Sequence, residues 1–119
     1  MIQISGQVIH GERYGKALGF PTANLDRRSF RLRRTNIRLG VYAGWAELPS
    51  GKKYRAAIVI GPIYNHHLPK IEAHLIGFKA NLYGKKIIIE LQKYLRPFRK
   101  FKSETALKQQ IARDLKKIK

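Results

Sequence analysis

At 119 residues the chain is sized for one domain with a real core, burying roughly two thirds of the surface its unfolded form exposes. Its 25 Lys+Arg against 7 Asp+Glu leave a net charge of +18, more than one bound nucleotide needs and attractive to polyanions in general. The absence of cysteine excludes a disulfide framework and thiolate chemistry, and no apolar run approaches the ~18 residues of a membrane helix. The N-terminus lacks the charged and apolar regions of a signal peptide, so a soluble cytoplasmic protein is expected.

The first predicted strand is Ile2–Ile9, and the glycine-spaced stretch 6–18 leads from it into Gly19-Phe20-Pro21-Thr22-Ala23-Asn24. Pro21 fixes its own φ and drives Phe20 from the helical region, so the segment is extended and Thr22 and Asn24 point the same way. Two neutral oxygens on one side of a stiff stretch suit Mg²⁺, a hard cation that shares its remaining positions with water and substrate phosphates. Gly11, Gly15 and Gly19 permit close backbone approach, and Lys16 adds a positive charge. These residues fit a phosphate and metal site. They fit a plain turn equally well, since Thr and Asn in such loops also bond their own backbone. A Walker-type loop is a poorer match, because Gly11-x-x-x-Gly15-Lys16 has the wrong spacing and Ala17 stands where Ser or Thr is required.

Residues 26–40 are too polar for a core element and long for a loop, a combination usually functional or mobile. They carry six arginines, Arg27, Arg28, Arg31, Arg33, Arg34 and Arg38, and a second basic set is Arg96, Arg99, Lys100 and Lys102. A solvated surface is the simpler account of this charge. Nucleic-acid binding is the alternative, with Tyr14, Phe30 or Phe98 available to stack on bases.

Strands are predicted over 41–48, Lys53–Ile60, 71–78 and 85–95, with Pro49-Ser50-Gly51-Lys52 as a hairpin connection and 79–84 as another. Ile71, Ala73 and Leu75 alternate with Glu72, His74 and Ile76, and Ile87, Ile89 and Leu91 with Ile88, Glu90 and Gln92, which makes one face of each strand buried. The period then changes. Ser103 reads as an N-cap with Glu104 in the first turn; Leu107, Ile111, Leu115 and Ile118 recur at helical spacing, with Lys116, Lys117 and Lys119 at the C-terminal end. The expected fold is mainly β, a small closed antiparallel barrel with the helix on its outside or across one end.

A phosphoryl-transfer site also needs a group to orient or deprotonate the attacking hydroxyl, and few carboxylates are available. Glu12, Asp26 and Glu104 fall in loop or cap positions, Glu47 ends a strand and Asp114 lies on the helix. Glu72 and Glu90 lie inside strands, and Glu72 shares a face with His74 on a rigid element. A solvent-facing glutamate paired with a lysine is the plainer reading of either. His66-His67 are adjacent and no HExxH motif exists, which argues against zinc, and no nucleophile elbow supports Ser-His-Asp chemistry.

The ordered stretches Gly6-Gln7-Val8-Ile9-His10-Gly11, Leu18-Gly19-Phe20-Pro21-Thr22-Ala23-Asn24-Leu25, Gly40-Val41-Tyr42-Ala43-Gly44, Ile71-Glu72-Ala73-His74-Leu75, Leu82-Tyr83-Gly84-Lys85 and Leu95-Arg96-Pro97, with Phe101, Ser103, Leu107 and Asp114, span nearly the whole chain. In them the chain resembles the ATP-dependent riboflavin kinases, including the kinase module of bacterial bifunctional flavin synthetases. The resemblance implies a six-stranded Greek-key barrel over about 1–95, a flavin-side loop 96–102 and a helix over about 103–117. It implies transfer of the ATP γ-phosphate to the riboflavin 5′-hydroxyl, giving FMN. Thr22 and Asn24 would bind Mg²⁺ and nucleotide phosphates, with Gly11, Lys16, Leu75, Gly77 and Tyr83 on the nucleotide and Glu72 as catalytic base. Arg96, Arg99 and Phe101 would hold the flavin. Departures are Phe98-Arg99-Lys100 after Pro97, where relatives often carry an acidic residue, the short stretch 60–69, and the basic stretch 27–38. The expected partners are small molecules, with no membrane, and the expected state is a monomer. With no adenylyltransferase module ahead of Met1, the chain is expected to stop at FMN, either as a single-domain kinase or as a fragment of a bifunctional enzyme.

Overall fold

Alternating isoleucines decide which side of each strand turns inward. The computed structural model describes residues 2–9, 23–26, 37–61, 70–78, 81–97 and 103–118. Among these are six strands, β1 (Ile2–Ile9), β2 (Ala23–Leu25), β3 (Gly40–Glu47), β4 (Lys53–Ile60), β5 (Ile71–Leu75) and β6 (Lys86–Arg96), followed by helix α1 (Glu104–Ile118). The strands close into a barrel in the order β1-β2-β5-β4-β3-β6, every neighbouring pair antiparallel. Strands β3, β4 and β5 follow one another, and β6 returns beside β3, which is a Greek key. Closure leaves no free sheet edge.

Ile4, Leu25, Ile58, Ile60, Ile71, Ile87 and Ile89 fill the interior, where β-branched side chains pack well on a pleated surface. In β5, and in β6 as far as Gln92, the inward and outward residues alternate as the period-two pattern predicts. The hairpin between β3 and β4 is closed by hydrogen bonds from Leu48 N to Lys52 O and from Gly51 N to Leu48 O, both 2.9 Å, with Gly51 at φ +90°. Strand β5 stops at Leu75 rather than at 78, because Gly77 at φ +83° turns the chain, and Phe78 then packs edge-on against Tyr54 at 5.2 Å. Ile37, in a stretch whose composition reads as too polar for the core, is buried and joins it.

The helix starts where its cap requires: Ala106 N donates to Ser103 Oγ at 3.2 Å. It packs outside the barrel on β3 and β4 rather than across an end. Val41 and Ala43 of β3 are buried, although they lie outside the interior cluster. At the helix C-terminus Arg55 donates to Ile118 O from Nε (3.2 Å) and Nη2 (3.1 Å) and to Gln92 Oε1 from Nη1 (2.6 Å), a cation satisfying carbonyls that no helical N–H reaches. The buried side chains of α1 include Gln110 and Asp114 as well as Ile118, so its inner face is partly polar.

Candidate active site

Strand register brings together two residues that are far apart in the chain. Leu25 and Ile71 pair across β2 and β5 and turn into the core, so the next pair, Asn24 and Glu72, faces outward. Residues directly opposite in an antiparallel pair hold their Cβ atoms about 4.5–5.5 Å apart. The same register continues across the wall: Ile9, Asn24, Glu72, Val59, Val41 and Arg96 form one row from β1 through β2, β5, β4 and β3 to β6.

Asn24 is 8% exposed, and among the described residues its side-chain carbonyl Oδ1 accepts no hydrogen bond. An unmet buried acceptor costs about 1–3 kcal/mol, so the position is an incomplete one that a cation or donor would complete. Glu72 is more open, and its Oε1 lies 3.1 Å from Lys70 Nζ. His74, on the same outer face, stands opposite Ala57. One wall thus presents a neutral oxygen and a carboxylate side by side. Among the described residues no group of three or more His, Cys, Asp or Glu side chains could hold a metal.

The other residues singled out by sequence divide into three groups. Gly11, Lys16, Thr22, Arg99 and Phe101 lie outside the described residues. Leu75 is buried in the core, so only its backbone is available to a ligand; Gly77 occupies the turn after β5; Tyr83 is half exposed, its N–H donating to Asn81 Oδ1 at 2.8 Å. Arg96 is engaged within the protein. Its Nε reaches both oxygens of Asp114 (3.1 and 3.2 Å) and its Nη2 reaches Oδ2 at 2.7 Å.

Residue-by-residue reading left Asp114 without a role, although a carboxylate inside a lysine-rich helix was the available signal. It also left out a cluster at the end of β6. Tyr42 and Tyr94 meet edge-on at 5.2 Å, Tyr42 Oη donates to Arg38 O at 2.6 Å, Tyr94 Oη donates to Leu39 O at 3.2 Å, and the Arg38 guanidinium lies 4.1 Å over the Tyr94 ring. Burial pushes the Tyr42 phenol above its ordinary pKa, Tyr94 adds to the effect and Arg38 opposes it. A shallow groove lined by Gln3, Trp45, Glu47, Lys53, Ile88 and Glu90 lies on β1, β3, β4 and β6, away from Glu72. Gln3 donates to Glu90 there at 2.8 Å, and Arg55 covers Trp45 at 4.7 Å, so cross-strand pairing accounts for it.

The flavokinase (riboflavin kinase) family model matches residues 1–119. The chain belongs to the riboflavin kinase family. A bifunctional riboflavin kinase/FMN adenylyltransferase of Haemophilus influenzae is 36% identical over 119 residues, covering 98% of this chain and 37% of that protein. A riboflavin kinase of Mus musculus is 34% identical over 118 residues, covering 96% of this chain and 76% of that protein. Among solved structures, riboflavin kinase from Trypanosoma brucei matches with a TM-score of 0.66 and 25% identity over 98% of this chain and 76% of its own. A Streptococcus pneumoniae protein described as a macrolide-efflux protein matches with a TM-score of 0.84 and 28% identity, over 98% of this chain and 38% of that one. The riboflavin kinase domain therefore spans little more than a third of the bifunctional relatives. No helix among the described residues is long and apolar enough to cross a membrane, and nothing in the fold or the comparisons favours the nucleic-acid reading.

Proposed function

We propose that this chain transfers the γ-phosphate of ATP to the 5′-hydroxyl of riboflavin, giving FMN and ADP. The reading is carried by the Asn24–Glu72 pair, a buried oxygen with no partner among the described residues beside a carboxylate, in a barrel of the riboflavin kinase family. The kinase names of the relatives supply the substrates.

In this reaction Glu72 accepts the proton of the 5′-hydroxyl as the ribityl oxygen bonds to the γ-phosphorus, and the bond to the β–γ bridging oxygen breaks to release ADP. The transition state is stabilised mainly by positioning and charge, so the rigidity of β5 matters as much as the carboxylate itself. The Asn24 side-chain oxygen has the chemistry Mg²⁺ prefers, and Thr22, two residues earlier, is the second proposed ligand. Bound Mg²⁺ would neutralise charge on the phosphate oxygens. Gly11 and Lys16 are assigned to the nucleotide, together with the Leu75 backbone, Gly77 and Tyr83. Arg99 and Phe101 are assigned to the flavin, with Arg96 acting beside them. A cytoplasmic monomer is the proposed setting.

The test is direct: incubate the protein with ATP, MgCl₂ and riboflavin, and separate the products by chromatography. FMN and ADP should appear in equal amounts. Absence of FMN overturns the reading.

A further inference from the structure

We propose that Lys70 is a positioning residue for the phosphoryl transfer, acting through Glu72; this rests on the kinase reading above and on Glu72 as its base. Lys70 immediately precedes β5 and is two residues from Glu72, so the two side chains leave the chain on the same outer face. They meet in a direct ion pair, Nζ to Oε1 at 3.1 Å, with 17% of the lysine side chain and 26% of the glutamate side chain exposed. The main chain beneath the pair is fixed: Ile60 pairs with Ile71, and Gly61 N donates to Lys70 O at 2.6 Å. The cation therefore approaches the carboxylate from a set direction, along β5. With Oε1 taken, Oε2 is the oxygen that can receive a proton while the pair persists.

A net charge of +18 puts some lysine near most carboxylates, but surplus charge does not decide this pairing. Glu90, inside β6, accepts from Gln3 Nε2 at 2.8 Å, although Lys86 lies on the same face of that strand. Stability does not account for the pair either. A lysine–carboxylate contact at a protein surface contributes little, because two long side chains are held in one geometry for a Coulomb gain that water screens. What this pair does is hold one carboxylate in one orientation.

The reaction gives that orientation a use. A base within reach of the attacking hydroxyl stands close to the γ-phosphoryl oxygens, and anions so placed repel each other. Repulsion turns an unrestrained carboxylate away from the nucleophile. Lys70 offsets it from the far oxygen and keeps Glu72 facing the hydroxyl, and its charge is in place before the substrate arrives. Lys70 keeps its own protons throughout: the hydroxyl proton passes to Glu72 Oε2 as the oxygen bonds to the γ-phosphorus and ADP leaves. No contact with either substrate is required of the lysine.

The test compares wild type, Lys70→Met, Lys70→Arg, Glu72→Gln and the Lys70→Met/Glu72→Gln double variant, measuring kcat, KM for MgATP and for riboflavin, and thermal melting. Methionine retains an unbranched stem and removes the charge. In Lys70→Met kcat should fall at least about tenfold with both KM values held within about twofold, the signature of an interaction expressed in the transition state. Lys70→Arg should recover part of the loss. In the Glu72→Gln background the methionine substitution should cost less than about twofold, because the lysine acts through that carboxylate. A lowered melting temperature with kcat unchanged makes the pair a structural contact and overturns the proposal while the kinase reading stands. A raised MgATP KM, with a loss that persists in the Glu72→Gln background, means that the lysine grips the nucleotide itself and overturns it as well. If turnover in the Glu72→Gln background is too slow to measure, or the double variant fails to fold, the split between kcat and the KM values in Lys70→Met, with rescue by Lys70→Arg, decides. Unchanged kcat in Glu72→Gln removes this proposal while FMN formation stands, whereas a wild-type protein that forms no FMN removes the kinase reading too.

Discussion

Asn24 and Glu72 stand opposite each other on the outer face of β2 and β5, one a buried carbonyl oxygen that accepts no hydrogen bond among the described residues, the other a carboxylate held by Lys70. The pair divides the labour of phosphoryl transfer between two adjacent strands, and each half can be removed separately.

Glu72→Gln keeps the size of the side chain and abolishes its basicity. The turnover number should fall by about 10²–10⁴-fold, the range for loss of a positioned general base. Circular dichroism and melting should change little, since Glu72 faces away from the core. An unchanged kcat would remove Glu72 from its assigned role.

Asn24→Ala should separate function from stability. Deleting a buried oxygen that has no partner among the described residues relieves a cost of about 1–3 kcal/mol, so the melting temperature should hold or rise. Calorimetry should show MgATP binding weakened at least about tenfold, because an interaction with a charged partner is lost. A variant that melts lower and binds MgATP normally would contradict the assignment.

Tyr42→Phe should alter alkaline stability. The folded protein holds the Tyr42 proton more tightly than the unfolded chain does, so its contribution is complete below about pH 10 and is lost as pH rises through the higher folded pKa. Wild type should therefore lose melting temperature above about pH 10 more steeply than Tyr42→Phe. Near neutrality the variant should be weaker by about 1 kcal/mol, the hydrogen bond to Arg38 O being absent. Parallel melting curves from about pH 8 to pH 11 would dismiss the effect.

Gly44→Ala tests the wall where β3 meets β6. An added Cβ would collide with the carbonyl of Glu90, which is backbone and cannot swing aside. Denaturant unfolding should show a loss of about 3 kcal/mol or more, at the upper end for overpacking. A near-neutral result would mean that the register shift at Ala43 and Gly44 can relax.

The strands that alternate cleanly were legible in sequence, because a period of two is visible in Ile71-Glu72-Ala73 and Ile87-Ile88-Ile89 without knowing their neighbours. Strand β2 was not: three residues are too few for a period, and only the constraint of Pro21 marked the segment as extended. Glu72 could be shortlisted as a carboxylate on a rigid strand, yet its pairing with Asn24 depends on a register that no local pattern encodes. The helix was legible, but not the polar part of its buried side. Leu107, Ile111, Leu115 and Ile118 mark the helix by their spacing, whereas the burial of Asp114 against a cation from β6, and of Gln110, which donates to Asp114, has no such signal.

The shortness of β2 has a thermodynamic corollary. Two residue pairs to β1 and three to β5 complete the circuit of the wall, making this the narrowest seam in the barrel. Since Asn24 sits within that seam, whatever grips its oxygen also rivets the circuit shut. Ligand binding and resistance to local breathing at β1, β2 and β5 are then a single equilibrium, and hydrogen exchange at those amides doubles as a binding assay.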